Sequence, residues 1–213
     1  MPDAGAQDET GTDWRELVAI VLLSVTAILT AWAGFEASKW GGAMSIAFSE
    51  ASSARIEAAR LEGTANRKLS IQVSLLTQWL QAHQDRDEEL ADFLEERFPE
   101  PLSTAFPEWL ASRPLVRPDA PATPFEMPDY VIPELRQAAE SDARADAKFA
   151  EALRNNQQGD DYTLLTVGFA TVLFFTAMSG RLRGSTGQRV LLSIAGVGFL
   201  VLAGVLLSFP KLL

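Results

Sequence analysis

The sequence predicts an all-α protein: three transmembrane helices with an external antiparallel helical hairpin that has a coiled-coil-like extension. Three observations predict it. First, the runs Leu17–Phe35, Tyr162–Gly180 and Val190–Pro210 carry no charge over 19, 19 and 21 residues. Each is long enough to cross a hydrocarbon core of about 30 Å at about 1.5 Å per residue. Second, the stretches between the first two runs are rich in Ala, Leu, Glu, Gln and Arg, the better helix formers, and no stretch suggests a strand. Third, nine of the eleven prolines fall in one connector, Pro99–Pro133, which divides those stretches in two.

Residues 1–13 are polar and acidic and read as a disordered tail. Thr12 or Asp13 can cap the first helix, with Glu16 three residues after Asp13. Residues 14–40 are transmembrane helix 1. An acidic start and a long apolar run make it an uncleaved anchor and not a signal peptide, although Ala31-Trp32-Ala33 loosely fits a cleavage pattern. Trp14 and Trp40, about 39 Å apart along a helix, suit the two interfacial belts.

Residues 41–98 contain no proline and read as one long external helix, with a bend or a change of packing partner expected at Gly41-Gly42 and Gly63. From Leu69 a register of alternating fours and threes appears: Leu69, Val73, Leu76, Leu80, His83, Asp87, Leu90, Leu94. That is a coiled-coil seam with two polar positions, His83 and Asp87. Residues 99–133 form the proline-rich crossover, with a turn of helix at 106–111. Its Phe106, Trp109, Leu110, Phe125 and Tyr130 are too apolar for a free linker and are expected to pack back onto the helices.

Residues 134–158 are the return helix, with Pro133 at its first position. Leu135, Ala139, Asp142, Asp146, Phe149 and Leu153 share one face, flanked by Ala138, Ala145 and Ala152. An alanine-rich helix can lie close against the outgoing one. A polar joint at 155–161 leads into transmembrane helix 2 at 162–180. A basic turn (181–189) and transmembrane helix 3 (190–210) complete the chain. Arg181, Arg183 and Arg189 in that turn, with no acid among them, make it cytoplasmic by the positive-inside rule. The N-terminus is then cytoplasmic and residues 41–161 are periplasmic or extracytoplasmic, in a multi-pass protein of the cell inner membrane.

The net charge of −10 resides in that external part: Glu36–Asp161 holds 13 Lys/Arg and 23 Asp/Glu, a net of −10. Such a surface argues against nucleic acid. The absence of cysteine excludes disulfides and thiolate metal sites.

Small residues recur along the first helix at a period near 3.5: Ser24, Ala27, Ala31, Gly34, Ser38, Gly41, Ser45, Ser49, Ser52. A face without bulk lets another backbone approach, which is how helices associate in lipid. The same face in a ring of identical chains would put hydroxyls along a wet path. Packing, within one chain or between chains, is the preferred reading. Glu36 and Lys39, three residues apart, are candidate charges at the mouth of such a path, or else an interfacial salt bridge. His83 and Asp87 amount to half a metal site at most, and a polar seam position more often sets register. With one histidine, no phosphate-binding loop and no nucleophile elbow, the sequence offers no catalytic, cofactor-binding or metal residues.

Ser38-Lys39-Trp40 beyond the anchor and Ser179-Gly-Arg-Leu-Arg183 in a tight hairpin resemble the pattern of a bacterial three-span membrane family catalogued as a domain of unknown function. The resemblance implies the topology and brings no activity. The expectation is a non-enzymatic membrane protein without cofactor. Its partners are the lipid bilayer, further copies of itself and a protein bound by the external helices. The alternative is a homo-oligomeric ion channel lined by transmembrane helix 1.

Overall fold

The computed structural model describes residues 14–182 and 185–212. Among these the chain is helical and contains no strand: α1 (Trp14–Asp85), α2 (Glu88–Glu95), α3 (Leu102–Ala111), a 3-10 turn (Pro124–Glu126), α4 (Pro133–Ser179) and α5 (Ser185–Ser208). The acidic tail expected at residues 1–13, and Arg183 of the basic turn, lie outside the described residues.

Four boundaries differ from expectation: α3 begins at Leu102 and not at 106, α5 begins at Ser185, inside the turn expected at 181–189, and the departures at Asp85 and at 155–161 have local reasons. α1 runs unbroken past Gly41, Gly42 and Gly63. An isolated glycine costs a helix about 1 kcal/mol but keeps its backbone hydrogen bonds, whereas proline removes one. α1 then stops at Asp85, inside the stretch read as continuous to residue 98. Arg86 turns left-handed (φ 61°), Asp87 N–H donates to the Ala82 carbonyl (2.9 Å) and Arg86 N–H to that of His83 (3.2 Å). This 6→1 and 5→2 pairing closes the helix end. α4, finally, continues through the polar joint at 155–161. There the side chains of Asn156 and Gln157 donate to Asp160 and Asp161 one turn on (3.0 and 2.9 Å), which satisfies the joint within the helix.

The chain forms two compact units. One comprises the described residues up to Phe48 and from Phe149 onward; the other is Ser49–Lys148. The first has a core of Ala33, Tyr162, Leu165, Phe169 and Leu206, with Leu29, Trp40, Phe199 and Leu202 against it. Gly168 sits where a Cβ would fall 2.9 Å from the Leu202 side chain. Outward, Ile20, Ile28, Leu164, Val167, Val197 and Leu200 are exposed, the inverse of a water-soluble surface. Within α1, α4 and α5 lie three segments long and apolar enough to cross a membrane.

In the second unit the buried residues of α1 include Ala51, Ala58, Ala65, Gln72 and Trp79, seven residues apart throughout. On α4 they are Ala138, Ser141 and Ala145. The α4 face through Leu135, Ala139, Asp142 and Asp146 is exposed instead. The alanines therefore form the inner face, and the bulkier series forms the outer one. Ion pairs flank it: Arg55 with Asp142 (2.9 Å) and Asp146 (2.7 Å), Arg144 with Glu57 (2.9 Å), Lys148 with Glu50 (2.9 Å), and Lys68 with Glu134.

The crossover wraps a cluster of Leu76, Trp79, Leu94, Phe98, Leu102, Phe106 and Trp109. Phe125 and Tyr130 pack on it as expected, while Leu110 is exposed. Gln72, buried, joins this cap to α1. Its amide donates to the Glu100 carbonyl (2.9 Å) and its oxygen accepts from the Tyr130 hydroxyl (2.8 Å).

Candidate functional site

The inward residues of α1 in the first unit follow steps of three and four: Thr26, Leu29, Ala33, Glu36, Trp40. Thr26, Ala33 and Glu36 have no exposed surface, and Leu29 and Trp40 are half-buried. Glu36 is thus a carboxyl built into the core of the unit that carries the apolar helices. Its neighbours come from the end of α5. Glu36 Oε2 accepts from the backbone N–H of Leu212 (3.2 Å). Tyr162, near the point where α4 becomes apolar, is fully buried, donates its hydroxyl to the Pro210 carbonyl (2.9 Å), and meets Phe209 edge to face at 5.3 Å. The Lys211 ammonium donates to the carbonyls of Leu207 and Phe209 (3.2 Å each).

Three buried atoms of this inward series lack a hydrogen-bond partner among the described residues: Thr26 Oγ1, Glu36 Oε1 and Trp40 Nε1. Most buried side-chain polar atoms are paired, so an orphaned carboxylate oxygen calls for an explanation. Lys39, the expected partner of Glu36, lies elsewhere. Its ammonium sits 5.8 Å above the Phe35 ring. Three-residue spacing permits the pair, but Glu36 is turned into the core, and no ion pair joins the two.

The small-residue stripe lies on the other side of the helix. Each of its positions is offset by two residues from an inward one, as Ser38 is from Glu36 and Ser45 is from Ala47. At about 100° per residue that is roughly 200° of rotation. Ser24, Ala27, Ala31, Gly34, Ser38 and Ser45 are exposed and Gly41 is half-buried; in the second unit Ser49 and Ser52 are exposed as well. A Cβ on Gly34 or Gly41 would meet nothing within 4 Å. The chain's own packing leaves this face uncovered.

The polar seam positions divide. His83 stacks on Trp79 at 5.0 Å and 8°. Asp87 lies beyond the end of α1 and caps α2, its carboxylate accepting from Leu90 N–H (3.1 Å). Of the seam itself, Leu76 and Leu94 are buried and Leu69 and Leu80 half-buried, while Val73 and Leu90 are exposed. No group of three metal-ligating side chains occurs among the described residues. Arg181 and Arg189 are exposed.

Sequence reading missed Tyr162 and Leu212 as neighbours of Glu36. The signal was the three-and-four spacing of Thr26, Leu29, Ala33, Glu36 and Trp40, outshone by the longer stripe behind it. Comparison with protein families, with characterised proteins and with solved structures finds no match to the chain.

Proposed function

We propose that the chain is a non-enzymatic, multi-pass protein of a bacterial inner membrane that associates with further copies of itself through the small-residue face of α1. The turn bearing Arg181, Arg183 and Arg189 is its cytoplasmic side, and the acidic helices of residues 41–161 face the periplasm, where they offer a surface to a protein partner. The layout resemblance through Ser38-Lys39-Trp40 agrees with this topology. One observation carries the reading: six of the seven stripe positions from Ser24 to Ser45 are exposed, Gly41 alone being half-buried, while the buried positions Thr26, Ala33, Glu36 and Ala47 lie on the opposite side of α1. An uncovered face of Gly, Ala and Ser is suited to a second helix, because it lets backbones approach. The channel alternative is weakened on the same geometry. Glu36 points away from the stripe, so a pore lined by the stripe would not have Glu36 at its mouth.

The test is native mass spectrometry of the intact particle in lipid nanodiscs, with and without Ala31→Leu and Gly34→Leu together. The reading expects a closed oligomer in the wild type and its loss in the variant. A monomeric wild type, or an oligomer indifferent to both leucines, overturns it.

A further inference from the structure

Glu36 is a carboxyl with no exposed surface in the unit that carries the apolar helices. Among the described residues one of its oxygens has a donor, the Leu212 N–H, and the other is buried without one. An ionised carboxylate in such a place is expensive unless a positive charge or further donors compensate it, and a single neutral N–H is little compensation. The charged and titratable groups around it do not supply the rest. Lys39, on its own helix, lies over Phe35. Lys211, from the end of α5, is committed to the Leu207 and Phe209 carbonyls. Tyr162, from α4, donates its hydroxyl hydrogen bond to the Pro210 carbonyl.

The surroundings nevertheless favour positive charge. The segment that follows α5 reaches Glu36 through the Leu212 N–H, and the Leu207 and Phe209 carbonyls of that segment and of the helix end hold a cation, the Lys211 ammonium. Ionisable residues buried among membrane helices commonly mark ion or proton sites.

We propose that Glu36 is a binding site for a small monovalent cation, a proton or an alkali ion held at Oε1. The shared chemistry is neutralisation of a buried carboxylate by one positive charge. The site is internal to one chain and does not depend on self-association.

The test uses wild-type protein in nanodiscs and a hydrophobic carbodiimide. That reagent modifies carboxyls in apolar surroundings in their protonated form, and the adduct is placed by peptide mapping. The expected result is one adduct per chain, on Glu36, absent from Glu36→Gln. If the cation is a proton, labelling falls as pH is raised and ignores sodium. If it is an alkali ion, sodium protects at fixed pH when choline holds the ionic strength constant. Folded protein, by circular dichroism, that never labels at Glu36 overturns the proposal. Labelling that responds to neither pH nor sodium does so too. The readout is made on the wild type, so a Glu36→Gln variant that fails to fold leaves the test intact.

Discussion

Replacing Ala145 with leucine tests the claim that alanines are the inner face of the second unit. Ala145 has no exposed surface and sits between the ion-paired positions Asp142, Arg144, Asp146 and Lys148. Leucine there adds three carbons where alanine is already enclosed. Overpacking of a well-packed site costs about 1–3 kcal/mol, or roughly 2–12 °C in melting temperature for a chain of this size. The neighbouring ion pairs set the contrast. The Arg55, Asp142 and Asp146 side chains are each more than half exposed, so Arg55→Ala should barely move the melting temperature despite breaking two contacts. Ala139→Leu, on the exposed face of the same helix, should change little. Melting in nanodiscs is readable by intrinsic fluorescence, because Trp79 and Trp109 are buried in this unit. An Ala145→Leu protein as stable as wild type, or an Ala139→Leu protein destabilised as much, would refute the assignment of the inner face.

Arg86→Gly should raise the melting temperature, since a left-handed residue other than glycine costs roughly 1 kcal/mol and Arg86 holds φ at 61°; an unchanged or lower value counts against the turn. The Lys68 ammonium beside Glu134 holds that carboxyl below its usual range. Because the folded value is the lower one, the contribution is full above the unfolded value of about 4.3 and is lost as pH falls through the folded value. Lys68→Ala should therefore be less stable than wild type at neutral pH and converge with it in acid, and a gap that persisted in acid would rule the pair out as its cause.

How much of this was legible beforehand depended on the kind of signal. The three apolar runs were readable because crossing a bilayer demands length and lack of charge, both visible in a string of residues. The stop at Asp85 was overridden by a seam that counts correctly across it. Asp87 followed by Glu88 and Glu89 is also the composition of a helix start, and a three-and-four rhythm cannot tell a seam position from a cap. On α4 the abundance of alanine was readable as a helix that can lie close against the outgoing one. Which residues turn inward was not legible there: where two helices lie close the buried residue is the small one, so Ala138 and Ala145 are enclosed and Leu135 is exposed. Glu36 was noticed, but its direction follows only from placing it in phase with Ala33 and Trp40.

The alanine face has a further consequence. Alanine has no rotamers to lock and no branches to interdigitate, so an Ala51–Ala58–Ala65 track looks nearly the same after a shift of seven residues. Such a surface supplies contact without address. Arg55, Glu57, Lys68 and their partners on α4, 66 to 91 positions away in sequence, are weak as sources of stability, but they differ from one another in sign and spacing. A slip by two turns sets those charges against the wrong neighbours. In this unit the alanines bring the helices close and the charges tell them where to stop.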